Sequence, residues 1–415
     1  MPVAIDQRLD EGGFRAEARA WLAARLEPRP AGDAGDRDLA ASTAVFPDLD
    51  GEAELVEFRR EWERAKYDDG WGAVLTWPEE IGGRGLPGRF EVVFNEEEAA
   101  FRTPPGSEIF GVTQHLIAPT LDQWGREETK AKLLRAMLRT DVLACQLFSE
   151  PDAGSDLAAV TTRAVRDGSD WVVTGRKVWT SGAQVCGVGE AICRFDPALP
   201  KHAGLVALLV PLDAPGVEIR PIRQMTGGSS FNEVILDEVR VPAECQLGGD
   251  GDGWKVALTT LSAERLVSGA APTAKFERLA ALARHLDRNE EPAVRDALTE
   301  LYLHTRVQHF LELRAREIML RDGRPGPEGS VGKLLATRNA TRISTVASVL
   351  LGPGLVADTG VPGTYVWAEH VLGAPAFRIA GGTDEIQRTI IGERVLGLPP
   401  EPKPAPRSPG GVPAN

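Results

Sequence analysis

Apolar positions recur at helical intervals along the first 140 residues. In Phe14–Leu26 (FRAEARAWLAARL) the residues Phe14, Ala18, Trp21, Leu22 and Leu26 fall on one side of a helix. A second helix is expected over Glu52–Asp69, and the period returns through Phe90–Arg102, Gln114–Trp124 and Glu127–Leu138. Residues 28–50, rich in Pro, Gly and Asp, and the Pro/Gly-punctuated Trp77–Gly85 (WPEEIGGRG) read as loop and turn. The texture changes at Val142. Short β-prone runs follow at Val160–Val165, Trp171–Thr174, Leu205–Val210, Val217–Pro221 and Val234–Val241. Runs of this length with turn residues between them suggest a compact β-domain or barrel. The Asp167-Gly168 pair between two of them predicts a hairpin turn. From Trp254 the helical period resumes and lasts to about Leu396. Leu303, Val307, Phe310 and Leu311 mark one expected buried face; Val331, Leu335, Ile343, Val346 and Leu350 mark another. Helices of this length, separated by loops such as Gly323–Gly329, predict a bundle. The chain therefore divides into a helical domain (1–140), a β-domain (141–250), a helical bundle (251–398) and a Pro-rich tail (399–415) expected to be disordered.

Composition narrows this picture. The 415 residues exceed one ordinary core, and 42% hydrophobic with 26% charged residues describes a soluble globular protein. A net charge of −13 argues against nucleic-acid binding, which needs a basic footprint. No run is long and apolar enough to span a bilayer. The N-terminal MPVAIDQRLDEGGF lacks a basic region followed by an apolar one, so a cytoplasmic protein is expected. Cys145, Cys186, Cys193 and Cys245 form no CxxC pair and are expected to be free thiols. The six histidines form no metal-ligand spacing, and no metal is expected.

Chemistry concentrates in three places. The first is Cys145–Ala183, which contains SEPDAGSD (149–156) and GRKVWTSGA (175–183). Hydroxyls, small residues and backbone N–H groups bunched in a turn suit an anionic or heteroaromatic ligand, and a tryptophan followed by two hydroxyl residues could cover a flat ring. An ordinary polar turn has the same composition. The second is Glu264, which shares a helical face with Ala257, Leu261, Val267, Ser268 and Ala271. A carboxylate on such a stripe is either a general base or an edge group paired with a neighbouring arginine. The third is GGTDEIQR (381–388), read as an N-cap with backbone donors free for a phosphate, or as a plain loop-to-helix start. Arginines such as Arg284 and Arg295 fit a solvated helix face.

Taken together, SEPDAGSD, GRKVWTSGA, AERL (263–266), GGTDEIQRTIIGERVLGLP (381–399) and WPEEIGGRG make the chain resemble the acyl-CoA dehydrogenase family over roughly residues 10–398. The resemblance implies an α+β multidomain fold: an N-terminal helical domain, a central barrel-like β-domain and a C-terminal four-helix bundle. It implies a cofactor, FAD, lying against Gln146–Ser155, with Phe148, Ser149, Gly154 and Ser155 in the cradle. Trp179, Thr180 and Ser181 would cover and bond the isoalloxazine. Thr383 and Glu385 would meet the other end of the cofactor, and Arg284 and Arg295 would serve its adenine end. Ser155, Arg265, Gly381 and Gly382 would border the acyl-CoA. The family's usual base is a glutamate at the position of Gly381, which is glycine here. Glu264-Arg265 resembles the smaller group that places its base on the first bundle helix.

On that resemblance, Glu264 takes the α-proton of an acyl-CoA thioester and a trans-2-enoyl-CoA results, in the catabolism of fatty acids, branched acyl groups or sterol side chains. The expected electron acceptor is an electron-transfer flavoprotein. A homo-oligomer, dimer or tetramer, is expected, and a hetero-oligomer is the alternative. Near Arg284 the family's Phe-Gly is missing, and Val349–Pro353 replaces a Gln-x-x-Gly-Gly run. These departures keep open a partner-dependent, non-catalytic subunit. An acyl-CoA oxidase and a flavin monooxygenase of related fold are the other rivals. Glycine at 381 leaves room near the substrate α-carbon for branched or bulky acyl groups.

Overall fold

A computed structural model describes residues 10–29, 39, 52–104, 107–267, 276–322, 326–361 and 363–402. The side chains of 264–267, Ser268 and Ala271 of the proposed Glu264 face, most of the loop at 28–50 and the tail beyond 402 lie outside the described residues.

The N-terminal helices follow the apolar period closely. Helix α1 spans Glu11–Ala23, is capped by Asp10, which accepts from Gly12 N at 3.2 Å, and buries Phe14, Ala18 and Leu22. Helices α2 (Glu52–Asp68) and α3 (Arg89–Glu98) close an aromatic core with it, in which Phe14 lies 4.8 Å from Phe90 and Trp71 stacks on Phe94 at 5.3 Å. The helix expected from Gln114 starts earlier. It is a rod made of α4 (Glu108–Gly111), a π-helical segment (Val112–Ile117) and α5 (Ala118–Trp124). Helix α6 occupies Glu127–Leu138.

The central sheet contains β1 (Ala144–Leu147), β2 (Arg163–Asp167), β3 (Asp170–Ser181), β4 (Val188–Arg194), β5 (Leu205–Pro211), β6 (Val217–Ile222), β7 (Phe231–Val241) and β8 (Gln246–Leu247). Its order is β6-β7-β3-β2-β4-β5-β8, with β1 pairing β4 in parallel. The Asp167–Asp170 hairpin forms as expected. The strand expected over Val160–Val165 is β2 and begins at Arg163, because Leu157–Ala159 makes a 3-10 turn. Strand β4 carries no alternation to read: residues 188–193 are all buried, because both faces of the sheet are covered. Val188 and Ile192 pack with the helices, whereas Ala191 and Cys193 pack with Val173 and Val234 of β3 and β7.

Helix α7 (Gly253–Val267) starts hard against β5. A Cβ at Gly253 would come within 2.6 Å of Val206 N, so only glycine allows this approach. Before it, Gly248 N donates to Trp124 O at 2.8 Å, so the chain enters α7 from the C-terminal end of the rod and runs back along it. The remaining helices are α8 (Phe276–His285), α9 (Pro292–Asp322), α10 (Gly329–Leu351), α11 (Val366–Gly373) and α12 (Asp384–Ile390). Their core holds Leu279, Leu282, Val294, Leu301, Ile343, Val346, Leu350 and Trp367. The face expected on α10 is borne out at Ile343, Val346 and Leu350, while Val331 and Leu335 are half-buried. The face expected on α9 is corrected. Leu303, Val307 and Phe310 are exposed and Leu311 is half-buried, because α9 carries two apolar stripes and turns Val294 and Leu301 inward.

Candidate active site

The two motifs at 149–156 and 175–183 meet through a buried ion pair. Lys177 is fully buried on β3, and its Nζ donates to Glu150 Oε1 at 2.9 Å, Phe148 O at 3.1 Å and Ile192 O at 2.8 Å. The other acceptor positions of Glu150 are filled by Thr161 N (2.7 Å), Thr161 Oγ1 (2.8 Å) and Thr162 N (2.9 Å). Burial opposes ionisation of this carboxyl, but the Lys177 ammonium and these donors win and hold it at about 2. The loop closes on itself, with Glu150 N donating to Ala153 O and Ala153 N to Glu150 O. Gly154 and Ser155 are thereby presented open to solvent, with Phe148 buried and Ser149 half-buried behind them.

Strand β3 carries a bulge immediately after Lys177. Lys177 pairs with Val234 and Thr180 with Asn232, so β3 has one residue more than β7 across this step. The extra residue is absorbed at Trp179, whose φ is +62°, rare for a bulky side chain. The bulge turns Trp179 outward, 60% exposed, edge-on to Phe231. Val178 N donates to Ser149 O at 3.0 Å, tying the bulge to the loop. Thr180 Oγ1 is buried without a hydrogen-bond partner, and Ser181 is half-buried beside it. A strained, outward tryptophan next to an unpaired buried hydroxyl and an open Gly-Ser turn fits a planar ligand carrying acceptors, as a flavin does. Gln146, on β1, stands opposite Glu190 of β4 in register.

Glu190 is a group the sequence reading missed. It is fully buried, and burial pushes it up to about 8 against the pull of Thr260. Thr260 Oγ1 lies 2.8 and 3.0 Å from its two oxygens and 2.9 Å from Thr120 Oγ1, which donates to Leu116 O at 2.8 Å. A protonated Glu190 completes a one-way chain: Glu190 to Thr260, Thr260 to Thr120, Thr120 to the Leu116 carbonyl. The chain fixes α7 against β4 and the rod one turn before Glu264. Glu264 and Arg265 lie in α7, and their side chains are outside the described residues.

Gly381 and Gly382 form a left-handed turn, with φ +63° and +90°. Gln387 Nε2 donates to Gly381 O at 3.0 Å and Gly382 O at 3.1 Å, and Lys333 Nζ also donates to Gly382 O. The expectation of free donors at the following helix is corrected in part. The Thr383 hydroxyl accepts from Ile386 N at 3.3 Å, and the buried Asp384 carboxylate at the first turn pairs with Arg378 at 2.9 Å, so the chain caps this helix itself. Glu385 is exposed and faces Arg388. Arg284 and Arg295 are exposed on α8 and α9, Arg295 facing Glu290 at 3.5 Å. The structure thus joins Gln146, Phe148, Ser149, Gly154, Ser155, Trp179, Thr180 and Ser181 around one feature, whereas Arg284 and Arg295 stand apart on the bundle surface.

Three family models match successive parts of the chain: the acyl-CoA dehydrogenase N-terminal domain at residues 10–141, the middle domain at 145–239 and the C-terminal domain at 251–396. Acyl-CoA dehydrogenase IpdE1 of Mycobacterium tuberculosis is 39% identical over 398 residues, covering 94% of this chain and 98% of that one. The human mitochondrial short-chain specific acyl-CoA dehydrogenase is 30% identical, covering 78% and 79%. Among solved structures, the Tcur3481-Tcur3483 steroid ACAD superposes with a TM-score of 0.75 at 28% identity, covering 94% and 98%. The ChsE4-ChsE5 complex of Mycobacterium tuberculosis gives 0.71 at 26%, covering 96% and 100%.

Proposed function

The chain belongs to the acyl-CoA dehydrogenase family of FAD-dependent oxidoreductases, and on that premise we propose that Glu264 is the base that takes the α-proton of an acyl-CoA thioester. The observation that carries the reading is the anchoring of α7. The Glu190–Thr260–Thr120 chain locks this helix to the strand beside Gln146, one turn from Glu264. A proton-abstracting group must be held at fixed distance from its substrate, and this bonding supplies the rigidity. Gly381 carries no side chain that could take the role.

Phe148, Ser149, Gly154, Ser155, Trp179, Thr180 and Ser181 would hold FAD, which supplies the hydride-accepting chemistry when bound. Trp179 would shield the reacting face from water, and Thr180 and Ser181 would satisfy acceptors on the ring. The Gly381–Gly382 turn, pinned by Gln387 and Lys333, borders the thioester and keeps its shape as charge develops there. The reducing equivalents pass to an electron-transfer flavoprotein, and the substrate belongs to lipid or steroid breakdown, the latter in accord with the steroid ACAD among the similar solved structures. Glu264→Gln is expected to purify yellow, with full FAD, and to show no flavin bleaching on anaerobic addition of acyl-CoA. Bleaching at the wild-type rate would remove Glu264 from the mechanism.

The chain acts in an oligomer. Leu303, Val307, Phe310 and Leu313 form a solvent-facing stripe on α9, with Phe310 58% exposed, and such a stripe needs a cover. A second copy of this chain is the proposed cover. Phe310→Asp is expected to shift the sedimentation coefficient of the purified protein to that of a smaller species. If the wild-type chain alone sediments as a monomer and assembles only with a different family subunit, the hetero-oligomer replaces this reading.

A further inference from the structure

Glu150 and Glu190 are both buried carboxyls of the central domain, and the fold surrounds them in opposite ways. Glu150 accepts from Lys177 Nζ, Thr161 N, Thr161 Oγ1 and Thr162 N, and is ionised. Glu190 meets one hydroxyl, that of Thr260, and no cation among the described residues. Its state follows from counting protons. Thr120 has one hydroxyl proton and gives it to Leu116 O at 2.8 Å. At the 2.9 Å contact between the two hydroxyls Thr120 therefore accepts and Thr260 donates. The one proton of Thr260 is then used, so at its 2.8 Å contact with Glu190 Oε1 the proton belongs to the carboxyl. Burial acts in the same sense and pushes Glu190 up to about 8.

Among the described residues no charge faces Glu190 to offset its ionisation. Gln146 of β1 and Leu209 of β5 stand in register with it and are uncharged. The Cys145 and Cys193 thiols lie in the core on the other face of the sheet. Arg194, further along β4, donates to the carbonyls of Lys201 and Ala158. On the rod, Glu108, His115 and Asp122 keep solvent exposure. On α7, Lys255 is exposed and pairs with Asp252. Glu264 and Arg265 are the remaining ionisable residues of that helix, and positions 260 and 264 lie one turn apart on the same side of it.

Loss of the Glu190 proton reverses the chain. Thr260 must then donate to the carboxylate, Thr120 must turn its proton to Thr260, and Leu116 O loses that donor. A fully buried carboxylate with one donor for two oxygens is costly, and hydrating it requires α7 to part from β4. We propose that Glu190 is a positioning residue for the base: its protonated carboxyl holds α7, and with it position 264, against β4 and the rod, and its ionisation releases the helix and slows proton abstraction. The inference rests on the reading of Glu264 as the base. A glutamine would supply the same donor at every pH. A carboxyl raised by folding supplies it below its folded midpoint and loses it as pH rises through about 8, so turnover is tied to pH.

The test uses full-length, FAD-loaded wild type, Glu190→Gln and Thr260→Val at pH 7 and pH 9. Amide hydrogen exchange over residues 254–267 reports on α7 without substrate, each variant being compared with the wild type at the same pH. Dye-coupled turnover of octanoyl-CoA or 3-cyclohexylpropanoyl-CoA, whichever the wild type oxidises faster, gives kcat and KM. Relative to Glu190→Gln, wild-type kcat is expected to fall about tenfold from pH 7 to pH 9, with KM and flavin content held, because about nine-tenths of the carboxyl is ionised one unit above its midpoint. Over the same step α7 should exchange faster in the wild type than in Glu190→Gln, after matching it at pH 7. Thr260→Val breaks the chain in both protonation states and should be slow at both pH values. Equal exchange of α7 in the wild type and Glu190→Gln at pH 9 overturns the inference, with or without turnover of either probe, and so do parallel kcat profiles. Glu264→Gln, run alongside, separates the two readings. Wild-type turnover in that variant removes the base. An inactive Glu264→Gln, with one pH profile shared by the wild type and Glu190→Gln, keeps the base and removes the role of Glu190.

Discussion

Glu190→Gln should resist urea better than the wild type at pH 7 and better still at pH 8.5, while the two proteins match near pH 4.5. In the folded protein burial raises this carboxyl from 4.5 to about 8. The folded chain therefore holds a proton that the unfolded chain releases between those values. The stability tied to Glu190 is fully present below 4.5, falls as pH rises, and is gone once pH passes 8. Each unit of that window is worth about 1.4 kcal/mol, so the wild type has lost about 3 kcal/mol relative to its acid value by pH 7. Glutamine is neutral throughout and its amide NH2 can donate to Thr260 in place of the carboxyl proton, so its curve should be flat over the same window. Parallel curves for the two proteins from pH 4.5 to 8.5 would show that Glu190 does not carry this proton. The same substitution bears on function, because Thr260 is the anchor of α7. If the chain of hydroxyls alone positions that helix, the variant should keep its flavin and its turnover.

Glu190 also shows what a sequence yields and what it withholds. Its strand, VGEAICR, has no alternation, since both faces are covered, and the central β-domain was read without it. A lone glutamate among apolar residues was a usable signal, but its partners, Thr120 and Thr260, are 70 or more positions away. The helices were more legible. Phe14, Ala18 and Leu22 stand at helical spacing and are all buried. Periodicity does not say what covers a face, however. Leu303, Val307 and Phe310 repeat as well as any core stripe, yet they face out of this chain. The 149–155 loop is legible as a candidate ligand loop because glycine and serine cluster there. The link that shapes it was not, because Glu150 and Lys177 are 27 residues apart and both types are commonly found on surfaces.

Lys177→Met should cost about 3–5 kcal/mol and release the cofactor. Methionine matches the volume of the lysine stem, so packing is largely kept and the loss is electrostatic. It strands the Glu150 carboxylate, nearly fully buried, without its cation. It also frees the carbonyls of Phe148 and Ile192, which Lys177 Nζ now satisfies. Glu150 anchors the 149–155 loop and Lys177 adjoins the Trp179 bulge, so both walls of the cradle lose their common support. The paired variant Glu150→Gln/Lys177→Met removes the stranded charge and should recover a large part of the stability while leaving flavin affinity reduced. The wild type carries a weaker form of the same defect in acid. Its Glu150 is held down at about 2 against an ordinary 4.5, so the pair's contribution is complete above 4.5 and is lost as pH falls toward 2. Retained flavin fluorescence quenching and a urea midpoint close to wild type in Lys177→Met would sink the account, because a cradle that survives without its central cation is held by something else.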